Sequence, residues 1–177
     1  MATVPTPTTT RLSSPGWERG DLRDLYEQQR APLVRMATLL LRNPVDAEEV
    51  VQDAFVQAHL AWSRLRDPAK GLAYLRSAVL NGARSRLRHD KVVQRYDPGR
   101  PAVGLSPESA TEAGDDRRRV MAALQSLPTR QRECLVLRYY LQLSEAEIAA
   151  ALGISAGSVK THSHRGLAAL AARLEER

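Results

Sequence analysis

The sequence predicts an all-α protein built from two small helical domains joined by a flexible linker, and three observations carry that expectation. The first is the kind of apolar residue used. Of 177 residues 43% are apolar, yet 24 Leu and 25 Ala stand against two Ile, one Phe, two Trp and five Tyr. Leucine and alanine are strong helix formers, whereas strands favour the β-branched and aromatic residues that are scarce here. The second is periodicity: apolar side chains recur at steps of three and four along two long segments, residues 21–96 and 115–177. The third is the punctuation around them. Residues 1–20 begin with a stretch holding five Thr and three Pro and read as a disordered tail, and residues 97–114 hold three Pro and three Gly and read as a linker.

In the first segment, Leu22, Leu25, Tyr26, Leu33, Val34, Ala37 and Leu41 trace one helical face, with Pro32 expected to kink it. Pro44 marks a turn, and Asp46 followed by Glu49 resembles a capping box. Val50, Val51, Ala54, Phe55, Ala58, Trp62 and Leu65 then form the stripe of a second helix, closed by Pro68 and Gly71. A third helix, about residues 69–89, buries Leu72, Leu75, Val79, Ala83 and Leu87. Its opposite stripe is Tyr74, Ser77, Asn81, Arg84, Ser85 and Arg88.

In the second segment, a helix beginning near Pro128 carries Cys134 among Leu135, Val136 and Leu137, so the thiol reads as core. Ser144 with Glu147, and then Ser155, mark two helix starts separated by Gly153, and small Ala149 allows close approach. With Ile148, Leu152, Ile154 and Val159 as its core, this is a helix-turn-helix. Val159, Leu167, Leu170 and Leu174 face inward on its second helix, leaving Ser158, Lys160, Thr161, His164 and Arg165 outward near its start. Such a helix enters the major groove, with its first turns at the base edges.

Charge divides the chain further. The formal net charge is +6, but residues 21–67 carry six basic and eight acidic side chains while residues 68–96 carry seven basic and one acidic. One face of the first domain thus suits a basic protein surface and another an anion such as nucleic acid. The stripe from Tyr74 to Arg88 combines an aromatic ring, an amide and guanidinium groups, the chemistry that holds single-stranded nucleic acid by stacking and phosphate neutralisation. The same residues would also serve as a boundary aromatic and a solvated basic face.

Other classes find no support. A single cysteine makes neither an internal disulfide nor a thiolate metal site and fits a reducing cytoplasm. His162 and His164 point about 200° apart on a helix, with no ligand at a coordinating spacing. No metal or cofactor is expected, no phosphate loop, catalytic triad or paired catalytic carboxylates mark an enzyme, and no segment is apolar enough to insert in a membrane.

These residues resemble the extracytoplasmic-function (ECF) sigma factors of bacterial RNA polymerase. In the first domain the resemblance rests on Leu25–Tyr26, Ala31–Val34, Asp46–Phe55, Tyr74–Arg76 and Asn81; in the second on Leu127–Pro128, Arg130–Arg132, Leu137–Tyr139, Leu143–Ala149, Leu152–Ser155, Gly157–Lys160 and Arg165–Leu167. It implies a sigma region 2 domain over 21–96 and a region 4 helix-turn-helix domain over 115–177. It further implies that the second helix docks on the clamp helices of the polymerase largest subunit through Glu49, Gln52, Asp53 and Val56. The loop at residues 66–72 and the third helix, through Tyr74, Ser77, Asn81, Arg84 and Arg88, would open the minus-10 element of promoter DNA and capture a flipped base. Ser158, Lys160, Thr161, His164 and Arg165 would read the minus-35 element, and an anti-sigma factor would be a further partner. Tyr74 and Ser77 stand where relatives often carry tryptophan and a basic residue.

Two alternatives stay open on the residues alone. The stretch Leu127–Leu170 also resembles the DNA-binding domain of conventional regulators that bind an operator without polymerase, although three helices rather than an α/β receiver precede it. A sigma-like antagonist that binds polymerase without initiating is the other.

Overall fold

The computed structural model describes residues 22–61, 70–96 and 112–175, and every regular element among them is helical. In chain order these are α1 (Leu22–Leu41), α2 (Pro44–Ala61), α3 (Gly71–Tyr96), α4 (Glu112–Ser126), α5 (Thr129–Leu135), a five-residue π-helical turn (Val136–Tyr140), α6 (Glu145–Leu152) and α7 (Ala156–Glu175). The expected tail, the linker up to residue 111, the loop at residues 66–69 and the stripe positions Trp62 and Leu65 lie outside the described residues.

Helices α1, α2 and α3 pack mutually around Leu33, Met36, Val51, Leu75, Val79 and Leu80, all essentially removed from water. The edge-to-face pair of Tyr26 and Phe55, with ring centroids 4.9 Å apart, ties α1 to α2. Gly82 lets α3 approach α2: a Cβ there would lie 2.8 Å from Val50 Cγ1. Around this core, Arg30 reaches Glu48 at 3.0 Å, and Arg86 of α3 holds both Asp46 and Glu49 of α2. The bond to Asp46 raises the Arg86 pKa above its ordinary value.

Helix α1 runs through Pro32 to Leu41, with buried side chains on either side of the proline holding both segments to the same core. Three local expectations are corrected. The start of α2 is capped by Asn43, whose Oδ1 accepts the Val45 N–H at 3.0 Å, with Pro44 as the first helical residue. Asp46 is therefore not a cap; it lies in the first turn and is bound by Asn43 Nδ2 and Arg86. Helix α3 outlasts its predicted end by seven residues, and α4 begins at Glu112, inside the stretch expected as linker.

The C-terminal unit packs α4, α5 and α6 against α7 over Leu135, Leu137, Ile148, Leu152 and Val159. The turn of the helix-turn-helix forms as its residues require. Ser144 Oγ accepts the Glu147 N–H at 3.3 Å, the Glu147 carboxylate accepts the Ser144 N–H at 2.9 Å, and Gly153 adopts φ 65°. Backbone and hydroxyl bonds from Ser144 hold the Glu147 carboxyl below its ordinary pKa. Ser144→Ala is expected to cost about 1 kcal/mol by thermal denaturation at neutral pH. Because the folded pKa is depressed, the share carried by the Glu147 carboxylate is present above the ordinary carboxylate range and is lost as pH falls through the folded value. The stability gap between the parent and Glu147→Gln should therefore narrow in acid.

One inward position is also corrected. Leu167 is 47% exposed, and the side of α7 that meets α5 is formed by Val159, Ser163 and Gly166. A Cβ on Gly166 would lie 3.1 Å from Gln131 Cβ, so the helices cross where no leucine would fit. Cys134 is buried, as its neighbours implied, and burial pushes its thiol up to about 11, protonated and unreactive near neutral pH.

Candidate nucleic-acid interface

Three sets of predicted site residues occupy three different helices. On α2, Glu49, Gln52, Asp53 and Val56 all lie on the outward face, and Val56 is 59% exposed despite its apolar side chain. Leu60, one turn further, is exposed as well. Glu49 is engaged by Arg86 of α3 at 3.0 Å. An acidic rim around exposed aliphatic groups suits a basic protein surface with apolar patches.

On α7, Lys160, Thr161, His164 and Arg165 are exposed over the first turns. Ser158 is half-buried and committed to the helix start: its N–H donates to Ser155 Oγ at 3.1 Å and the two hydroxyls lie 2.9 Å apart. Thr161 Oγ1 donates back to the Gly157 carbonyl at 3.0 Å, which leaves its methyl group and lone pairs outward. The first turns thus present two cationic side chains, an imidazole and a hydroxyl on a rigid platform, the set that meets phosphates and base edges. Of the nearby arginines, Arg132 is buried and bonded to the carbonyl and side-chain oxygens of Gln125, while Arg138 pairs with Glu145 at 3.0 Å. Those two are structural.

On α3, Tyr74 and Ser77 are half-buried, with the ring packed on the core, while Asn81 and Arg88 are exposed. Arg84 Nη1 donates to Asn81 Oδ1 at 3.2 Å, so these two act as a unit. An open cleft of about 490 Å³ lies over this face, lined by Asn81, Arg84, Leu87, Arg88 and Lys91 of α3 and, from the other unit, by Thr129 and Arg130.

That second wall was not legible beforehand. The two units are docked, α1 against α4 and the π-helical turn, α3 against α6. Arg84 Nε and Nη2 donate to the two carboxylate oxygens of Glu133 at 2.6 and 3.0 Å, and Arg130 adds a third bond at 3.0 Å. Arg35 donates to the Tyr140 hydroxyl at 3.0 Å, and Gln125 Nε2 to the Leu39 carbonyl at 2.6 Å. Burial lowers the Arg76 pKa below the ordinary value, and the Glu147 charge opposes that shift in part. Glu133, Gln125, Tyr140 and Arg76 were absent from the predicted site; the sole sequence signal was a carboxylate set inside the buried run from Arg132 to Leu137.

Comparison with known proteins gives the family and the fold. A family described as Sigma-70 region 2 matches residues 25–93, and one described as Sigma-70, region 4 matches residues 117–170. The chain is 38% identical over 157 residues to the RNA polymerase sigma-E factor of Streptomyces avermitilis, covering 89% of this chain and 87% of that protein. It is 32% identical over 154 residues to the ECF RNA polymerase sigma factor SigK of Mycolicibacterium vanbaalenii, covering 82% and 77%. The fold is similar to that of the sigma factor RpoE of Bartonella quintana, solved with the anti-sigma factor NepR, at TM-score 0.76 and 22% identity over 89% of this chain and 99% of that one. It is also similar to CnrH, solved with the cytosolic domain of CnrY, at TM-score 0.65 and 29% identity over 89% and 91%. With a region 2 unit followed by a region 4 helix-turn-helix, the chain belongs to the ECF sigma factors, which bind RNA polymerase and direct it to start transcription at specific promoters.

Proposed function

We propose the following division of labour within that function. The outward face of α2, through Glu49, Gln52, Asp53 and Val56, docks on the clamp helices of the polymerase largest subunit. Helix α3, through Asn81, Arg84 and Arg88 with Tyr74 and Ser77 beside them, holds the opened minus-10 strand. Helix α7, through Lys160, Thr161, His164 and Arg165, reads minus-35 DNA, while Ser158 fixes the start of that helix. Residues 21–96 and 115–177 act as the two domains, with 97–114 spanning between them. The observation that carries the reading is the separation of chemistries on one three-helix unit: α2 presents carboxylates around exposed Val56, and α3 presents an amide and guanidinium groups.

As a subunit of the polymerase it directs, the chain would work in the cytoplasm and leave catalysis to the polymerase; no helix among the described residues is long and apolar enough to cross a membrane. The relatives solved with NepR and with the cytosolic domain of CnrY support an anti-sigma factor as a further partner.

Runoff transcription with purified core polymerase, with and without the chain, on a library of linear promoter fragments tests the whole reading. Starts that depend on the chain and share paired upstream and start-proximal motifs are expected. Binding to DNA without polymerase and no starts would return the chain to a conventional regulator. Lys160→Ala and Arg165→Ala are each expected to weaken a minus-35-dependent promoter by about 1–3 kcal/mol where the side chain reads a base. Where it meets only phosphate, binding falls uniformly across sequences and the salt slope drops by about one. Equilibrium binding across a salt series separates the two.

A further inference from the structure

We propose that the free chain is held in a closed, promoter-refusing state by an internal clasp, in which the Glu133 carboxylate occupies the arginine that α3 offers to the opened promoter strand. The proposal rests on the reading of α3 as the strand-binding face and adds a control of that face. The geometry is that of a phosphate mimic. An arginine fork matches carboxylate and phosphate oxygens alike, and Arg84 spends Nε and Nη2 on the two oxygens of Glu133, a residue 49 positions away in the other unit. Its remaining bond goes to Asn81, so both members of the α3 unit are committed at once. Arg84 borders the open cleft, but its fork is already filled by a carboxylate that is itself 2% exposed, so a strand phosphate can take Nε and Nη2 only when Glu133 withdraws.

The clasp is also built to release. A buried ion pair adds little net stability, because desolvation offsets its attraction, yet it strongly favours the one arrangement that pairs it. At the other end of the same interface, Arg76 Nε is buried with no hydrogen-bond partner, a cost that closure carries and opening relieves. Closure pairs Arg84 with Glu133 alongside the Arg35–Tyr140 and Gln125–Leu39 bonds, and a strand held open by polymerase competes for the same fork.

The test uses the full chain labelled for distance measurement at Gln57→Cys and Ala172→Cys, both exposed, with Cys134 buried and unlabelled. One narrow distance is expected in the parent, and a broad, longer distribution in Glu133→Gln. Joint reversal, Arg84→Glu with Glu133→Arg, should restore the narrow distance. Binding of a dye-labelled random 12-nucleotide single strand should tighten about tenfold in Glu133→Gln, the gain expected if roughly one chain in ten is open beforehand. Identical distance distributions in the parent and Glu133→Gln, both folded by circular dichroism, would overturn the clasp. Opening without tighter strand binding would overturn the masking and place the fault in the assignment of α3, since the distance readout does not depend on DNA.

Discussion

Replacing Asn81 and Arg84 together with alanine is expected to abolish promoter opening while leaving polymerase binding intact. The two side chains are joined by a 3.2 Å bond on the solvent side of α3, while the core beneath them is formed by Leu75, Val79, Leu80 and Ala83. Truncating them therefore removes contacts rather than packing. A charge-assisted contact is worth about 1.5–3 kcal/mol, so losing one such contact together with the amide that orients it should lower open-complex formation by about a hundredfold. The surface of α2 that carries Gln52, Asp53 and Val56 lies on another helix and is untouched. Permanganate footprinting of the start-proximal region reads opening, and co-purification with core polymerase reads binding. Unchanged opening would show that α3 does not hold the strand. The same double variant leaves Glu133 with Arg130 alone, so its free form should also be open, separating closure from strand capture within one protein.

Ile148→Ala is expected to be the most damaging single core change in the C-terminal unit. Ile148 is fully removed from water in α6, and shares its core with Leu137, Leu152 and Val159 from the π-helical turn and both helices of the helix-turn-helix. Truncating a buried isoleucine to alanine costs about 2–5 kcal/mol, with the upper end reached where neighbours cannot collapse into the space. Here Ser144 and Gly153 fix both ends of α6 by capping, so collapse is restricted. A loss of that size should lower the melting temperature of this unit by about 10 °C or more and remove minus-35-dependent transcription, while the region 2 core, with its own buried side chains on α1, α2 and α3, persists. Calorimetry of the variant, with runoff assays on promoters with and without an upstream element, checks both parts.

Much of this protein was legible from residues alone because the interactions that decide it are short in range. Helical periodicity marked α1, α2 and α3. The Ser144–Glu147 box, Ser155 and Gly153 drew the helix-turn-helix almost atom by atom, since a cap involves residues three apart. Where a local signal had a competitor, the competitor sometimes won. Asp46 and Glu49 carry the pattern of a cap, yet Asn43 takes the helix start, and the Asp46 carboxylate accepts from Asn43 Nδ2 and from Arg86, 40 residues on. Leu167 follows the inward spacing, but Gly166 beside it allows α7 to lie so close to α5 that the leucine is turned outward.

By itself, then, the sequence determined the helical class, the order of the two units, the helix-turn-helix and most of the exposed positions on α2 and α7. Caps, turns and apolar stripes are properties of a few neighbouring positions. Only the tertiary structure decided that the units dock, that Glu133 lies between Arg84 and Arg130, and that Tyr140 and Gln125 hold α1. Those choices depend on how two folded surfaces meet. An ion pair between residues 49 apart carries no periodic trace, and the pairing is selected by burial, which excludes every carboxylate but the one whose charge is matched at the contact.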